Sequence, residues 1–294
     1  VGHEFCGEVV EVGPAVKNVK VGEHYMVKPA LYCGECEMCK LKMYTICENG
    51  GAMNTLAMYG CFSEYVRVMY AHNTLVPIPA GCTEEDVLMN ADVLTTGRFL
   101  VENAGIKEGD VVAINGVGPI GMAACLVSKQ IFKAKTVIAI DINDFRLNKC
   151  LEHKIADYTI NPNNDDLYGR IDEITHSRGV DLAGDTSAMP NFVDTLVNIT
   201  RPQGAISSVG TTFAQVPFTP SIMMAKNIKM FVGTQDFNGM EEMQEMIGRG
   251  EIDVKWMQTH RASMNDTIKG FEIFGKHEDN VLKWLVEPWD HNRD

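Results

Sequence analysis

The stretch from Val111 to Asp141 limits what this chain can fold into more than any other. It reads Val111-Val112-Ala113-Ile114-Asn115, then Gly116-Val117-Gly118-Pro119-Ile120-Gly121, then an apolar run to Lys129, and finally Thr136-Val137-Ile138-Ala139-Ile140-Asp141. The first five residues are apolar, rich in β-branching and introduced by the turn pair Gly109-Asp110. That pattern suits a strand buried on both faces of a parallel sheet. The glycines that follow fit a G-x-G-x-x-G turn opening a helix. Gly116 permits the tight bend, Gly118 lets a pyrophosphate approach the backbone, and Gly121 lets helix and strand pack closely. The N–H groups and positive end of that helix then face the phosphates.

A glycine turn in any strand–helix unit is the plain alternative. The flanking strand and helix decide against it, as does Asp141, placed where a carboxylate can accept hydrogen bonds from an adenosine ribose. A carboxylate there repels a 2′-phosphate, and Ile142, Asn143, Asp144 and Phe145 add no cation, so NAD is favoured over NADP; Arg146 still lies within reach. A membrane span over Val111–Lys129 is not supported, because three glycines, a proline and Asn115 interrupt it.

Around this core the rhythm of the chain changes twice. Residues 1–93 look β-rich, with strand-like runs at Gly7–Val12, His24–Lys28 and Ser63–Met69 between Gly and Pro turns. From Leu94 a helix is followed by strand patterns at 111–115, 137–141, 158–161, 180–185, 205–210 and 228–234. Helical patterns lie between most of them, notably at 119–132, 144–153 and 190–200. Alternation of this kind predicts an α/β fold, a doubly wound parallel sheet of the Rossmann type covering 94–235. Residues 236–294 return to short helices at 240–248 and 264–275 and a strand-like Val281–Val286, and are expected to rejoin the first part. With 294 residues, 45% hydrophobic and 22% charged, the chain can form two ordinary cores. A net charge of −13 with no offsetting basic face argues against nucleic acid or an anionic membrane as partner. No targeting stretch is visible, which points to the cytoplasm. The chain opens on Val1, directly before a functional-looking motif, so a preceding segment is expected.

Four of the nine cysteines cluster as Cys33, Cys36, Cys39 and Cys47. Four thiolates at that spacing can wrap a tetrahedral zinc ion with no open position, a structural site. A redox-active or disulfide-bonded loop is the alternative. The cysteine usage fits a reducing compartment. A second constellation is Gly2-His3-Glu4 with Asp92, which stands at the join with the nucleotide-binding part. His3 and Asp92 can supply two ligands to a catalytic zinc, with Glu4 an exchangeable or supporting ligand. Thr96 can donate a hydrogen bond to cofactor or substrate, or instead cap a helix. No nucleophile elbow is present, so hydrolysis is not supported.

Together these motifs resemble the zinc-dependent alcohol dehydrogenases of the medium-chain dehydrogenase/reductase superfamily. The resemblance rests on Gly2-His3-Glu4-Phe5 and Gly7–Gly13, the four-cysteine lobe, Asp92 before Thr95-Thr96-Gly97, and Gly116–Gly121 with Asp141. It implies a β-rich GroES-like catalytic part, incomplete at its N-terminus, beside the Rossmann part. It also implies catalytic and structural zinc, NAD, a small alcohol or ketone substrate and a homodimer or homotetramer. An aspartate as the last catalytic ligand resembles members that act on secondary alcohols. By the same resemblance Ile120 packs behind the nicotinamide, and Val209, Gly210, Gly233 and Thr234 line it. Ala188 stands where relatives often carry glycine, and Lys283 contacts the pyrophosphate or is simply solvated. Relatives carry a cysteine ligand before the Gly-His-Glu motif. Cys6 is no substitute, since strand alternation turns it away from His3. The chain as given is therefore expected to hold catalytic zinc weakly. Sugar, polyol or butanediol dehydrogenases of the same superfamily, and a catalytically silent NAD-binding redox sensor, are the competing readings.

Overall fold

The computed structural model describes residues 1–52 and 60–289. Its contacts divide the chain into two compact units, one of residues 1–95 with 236–294 and the other of residues 96–235.

The second unit is built on six parallel strands in the order β6-β5-β4-β7-β8-β9. They are β4 (Val111–Asn115), β5 (Thr136–Ile140), β6 (Tyr158–Ile160), β7 (Val180–Asp185), β8 (Thr200–Ser208) and β9 (Lys229–Val232). Ala113, Ile138, Ile140, Ile160, Val180 and Ile206 pack with Val193, Leu196 and Val197 of the helix Phe192–Ile199 into one buried core. Each such aliphatic side chain taken out of water contributes about 1.5–3 kcal/mol, which is why the strands read as continuous apolar runs. The helices start at polar caps. Asn143 accepts from the Arg146 amide at the head of Asp144–Glu152, and Asp166 from that of Gly169 at the head of Leu167–Thr175. The expected helix 119–132 is realised as an α-helix over Pro119–Leu126 that widens into a π-helical turn, Val127–Ile131.

The first unit holds an antiparallel sheet of β1 (Phe5–Glu8), β2 (His24–Val27) and β3 (Leu75–Pro77), and a parallel pair of β10 (His260–Ser263) and β11 (Trp284–Glu287). The segment 236–289 is locked to the first by polar contacts. Asn90 Nδ2 donates to the carbonyl of Met240 at 3.0 Å and to Gln244 Oε1 at 2.8 Å, and the buried Lys28 Nζ reaches Glu241 Oε1 at 2.7 Å.

Two expectations for this unit fail. The strand expected at 7–12 is realised as Phe5–Glu8, and Ser63–Met69 forms no strand despite its alternation. Alternation specifies two faces, but it does not by itself build a strand, which also depends on where the rest of the fold places a neighbouring ladder. Among the described residues no helix is long and apolar enough to cross a membrane.

Candidate active site

The glycine turn of the second unit uses its three glycines differently. Gly116 has φ +82°, where a β-carbon would also lie 2.8 Å from the Ser187 amide nitrogen. Gly121 sits so close to the turn that a β-carbon would meet the Gly116 carbonyl oxygen at 2.0 Å. Gly118 caps the helix in extended geometry, and a β-carbon there would meet only Arg146 Nη1 at 3.8 Å. The face over Gly118 is thus open to a ligand, with the helix N-terminus beneath it and Pro119 at its first turn.

Asp141 does more than its spacing suggested. Its Oδ2 accepts the Val117 amide at 2.8 Å and its Oδ1 the Asn143 amide at 2.9 Å, while Arg146 Nη1 stands 3.8 Å from Oδ2. The Val117 N–H, in the turn just before the helix, is therefore taken up inside the protein by Asp141. The same geometry brings a guanidinium to the strand end, where the adjacent sequence showed no cation.

Val209 and Gly210 follow the end of β8, with the Val209 amide donating to the Asp185 carbonyl at 3.2 Å. Gly233 continues the β8–β9 ladder through its amide to the Ser208 carbonyl at 3.4 Å, leaving Gly233 and Thr234 exposed. Ile120 is half-buried on the helix opened by the turn. Thr96 is buried inside the helix Val93–Asn103, so it is not an N-cap; its neighbour Thr95 bonds the Asp92 carbonyl at 3.0 Å.

In the first unit, His3, Glu4 and Asp92 place one ligand atom each within 4.8 Å of one another. His3 Nε2 stands 3.3 Å from Asp92 Oδ2. A nitrogen and an oxygen bound tetrahedrally to one zinc ion lie about 3.4 Å apart, so the spacing fits. The hydrogen bond to Asp92 raises the His3 pKa, against desolvation by burial. Glu4 gives one oxygen, Oε2, to the Lys283 ammonium, while its Oε1 is buried with no hydrogen-bond partner among the described residues. A buried acceptor without a donor is costly and is satisfied by a cation. Lys283, assigned to a pyrophosphate by resemblance, is thus found on Glu4, a pairing across 279 residues of sequence that no local pattern signals. Cys6 points elsewhere, its thiol 3.6 Å from the Glu84 carbonyl and its pKa pushed up by burial.

The four lobe thiols converge as well. Cys33 Sγ lies 3.6 Å from Cys47 Sγ and 4.0 Å from Cys39 Sγ, and Cys36 Sγ lies 3.8 Å from Cys47 Sγ. Four sulfurs at about 2.3 Å from one tetrahedral zinc stand about 3.8 Å apart, so this donor set also fits. Asn49 Nδ2 and the amides of Glu35 and Cys36 donate to Cys33 Sγ, holding that thiol down at about 6. No disulfide is formed, all nine cysteines being free.

The chain matches the family model for the alcohol dehydrogenase GroES-like domain over residues 1–80 and that for zinc-binding dehydrogenase over residues 119–249. It is 33% identical over 224 residues to a medium chain reductase/dehydrogenase of an Acremonium species, covering 74% of this chain and 76% of that protein. It is 27% identical to the sorbitol dehydrogenase of Bacillus subtilis over 98% of this chain and 80% of that one. A zinc dependent alcohol dehydrogenase from Streptococcus pneumonia, solved in its apo form, superposes with TM-score 0.91 at 30% identity, covering 98% of this chain and 82% of that chain. The chain spans 65–80% of the length of the first curated relatives it matches. By motif, sequence and fold, it belongs to the zinc-dependent alcohol dehydrogenases of the medium-chain dehydrogenase/reductase superfamily.

Proposed function

We propose that this chain carries the metal- and cofactor-binding residues of an NAD-dependent oxidation of a secondary alcohol to a ketone. The observation that carries the reading is the His3–Asp92 pair at 3.3 Å with the orphaned Glu4 Oε1 beside it. Bound NAD would supply the hydride acceptor, taking the hydride of the carbinol carbon, with the hydroxyl proton released. His3 and Asp92, with Glu4 as an exchangeable ligand, would hold zinc, which would supply Lewis acidity that lowers the pKa of an alcohol hydroxyl. Lys283 holds Glu4 by one oxygen and leaves the other for the metal. Cys33, Cys36, Cys39 and Cys47 would hold a second zinc with a structural role in the lobe.

For the cofactor, Gly116–Gly121 takes the pyrophosphate, with Asp141 at the adenosine ribose. Ile120, Val209, Gly210, Gly233 and Thr234 lie around the nicotinamide, and Thr96 lends a hydroxyl. NAD is preferred over NADP because the Asp141 carboxylate opposes a 2′-phosphate, although Arg146 softens that opposition. The free thiols fit a reducing, cytoplasmic setting.

The chain pairs with a second copy through β9. That edge strand exposes Met230 and Val232, and Phe213, Phe218, Ile222 and Met224 are exposed just before it. An edge strand with so much apolar surface is an adhesive surface unless paired. Sedimentation should show a dimer or tetramer that Val232→Lys weakens.

The substrate is tested by NADH formation from NAD with 2-propanol, 2,3-butanediol and sorbitol, together with zinc analysis of the purified protein. Preference for 2-propanol with zinc present supports the reading, and preference for 2,3-butanediol moves it to the butanediol dehydrogenases. Preference for sorbitol moves it to the polyol dehydrogenases. Protein that binds neither zinc nor NADH overturns it.

A further inference from the structure

Asn115, Asp185 and Ser208 are the last residues of β4, β7 and β8 and stand in register across the sheet. Between β4 and β7 the strand order reverses, β4-β5-β6 running one way and β7-β8-β9 the other. Such a switch point opens the crevice where doubly wound sheets seat their ligands. A carboxylate occupies it: Asp185 has no exposed surface at all.

Its partners in the structure are neutral. Asp185 Oδ1 accepts from Asn115 Nδ2 at 2.8 Å, from Ser187 Oγ at 2.6 Å and from the Ser187 amide at 3.2 Å, and Oδ2 accepts from Ser208 Oγ at 3.4 Å. Burying a carboxylate is costly, and a well-packed apolar side chain fills a core position at less expense. What the carboxylate gains is a junction between segments that carry the ligand surface.

On one side, Thr186 donates through its amide to the Asn115 carbonyl at 2.9 Å and through its hydroxyl to the Gly116 carbonyl at 2.6 Å. The glycine turn is thereby tied to the Asp185 loop. On the other side, the Gly210 amide bonds Ser208 Oγ at 3.3 Å, and a β-carbon on Gly210 would stand 2.7 Å from the Ala188 nitrogen and 3.1 Å from Asp185 Oδ2. The 209–210 backbone is laid directly on the same loop.

We infer that Asp185 is a positioning residue for the dinucleotide: its buried carboxylate sets the spacing between the glycine turn, which takes the pyrophosphate, and the Val209–Gly210 backbone, which takes the nicotinamide half. The inference rests on the cofactor placement proposed above. A ligand that bridges both segments feels the spacing, and one that ends at the pyrophosphate does not.

Asp185→Asn keeps the shape and turns one acceptor oxygen into a donor facing groups that already donate. Losing one hydrogen bond to a charged group corresponds to about tenfold or more in binding, so the NADH Kd should rise by about that factor. The Kd of ADP, which lacks the nicotinamide half, should change by less than about twofold, since the Asp141 ribose site and the glycine-turn backbone remain. Ser187→Ala removes one donor from a half-buried loop, keeps the carboxylate, and should lower NADH binding selectively by a smaller factor. It carries the test if the asparagine variant does not fold. Unchanged NADH binding in either variant overturns the inference. So does a parallel loss of NADH and ADP that tracks a fall in Tm, which would mark a purely structural role. Wild-type protein that binds NADH while the variants bind it equally defeats this inference alone; wild-type protein that binds no NADH defeats the functional reading beneath it.

Discussion

Asp141 Oδ2 accepts the backbone amide of Val117 at 2.8 Å, so the acid at the end of β5 holds the middle of the glycine turn that follows β4. A charge-assisted bond of this kind contributes about 1.5–3 kcal/mol, and here it fixes the loop against which phosphates are expected to rest. The carboxylate proposed for the ribose and the loop proposed for the pyrophosphate are thus mechanically one.

Asp141→Asn should therefore affect both. It keeps one carbonyl acceptor and loses the charge, so NADH affinity should fall about tenfold. The ratio of NADP to NAD binding should rise, because the repulsion of a 2′-phosphate is gone while Arg146, whose Nη1 stands 3.8 Å from Oδ2 of residue 141, remains. Fluorescence titration with NADH and NADPH measures both. A variant that loses affinity for the two in equal proportion would show that the carboxylate holds the turn and selects nothing.

Removing one lobe thiol tests the structural metal. Cys47→Ser should lower the zinc content by about one ion per chain, because a closed tetrahedral site tolerates no missing ligand. The first unit should lose stability while NADH binding to the second persists. Elemental analysis with thermal denaturation checks this, and unchanged zinc content would refute the assignment.

Asp181 governs acid stability in the second unit. Burial pushes its carboxyl up, but the Val111 amide at 2.9 Å, Arg201 Nε at 2.6 Å and Arg178 outweigh that and hold the pKa below its usual value. A carboxyl that ionises more readily folded than unfolded stabilises the fold fully above the unfolded pKa of about 3.9 and loses that contribution as pH falls through the folded value. Asp181→Asn should cost about 2 kcal/mol at neutral pH and flatten the acid limb of the stability profile below about pH 4. Denaturant melts at pH 7 and pH 3 measure it; an equal loss at both would reject the linkage.

Ala188 has φ +56°, a left-handed backbone that places its β-carbon badly. Ala188→Gly should raise stability by about 0.5–1 kcal/mol, the relieved strain exceeding the added unfolded-state entropy. A lower melting temperature would mean that the surrounding loop relies on the methyl group.

What could be read from the sequence was whatever short stretches of chain enforce. The glycine turn between β4 and its helix follows from residues within a few positions of each other, because backbone stereochemistry restricts how such a stretch can bend. Cys33, Cys36, Cys39 and Cys47 were legible as a donor set because their spacing within one loop is that of metal-binding cysteines, and the structure brings their thiols together. The parallel sheet followed from the alternation of apolar runs with helical patterns. Tertiary structure decided the rest. His3 meets Asp92 across 89 residues, and Lys283 meets Glu4 across 279. Asp185 takes Asn115 as a partner only because β4 and β7 lie side by side. Ser63–Met69 alternates like a strand and forms none. Local propensity is a property of neighbours along the chain. Pairing, burial and the satisfaction of a buried charge depend on groups that only the packed fold brings together.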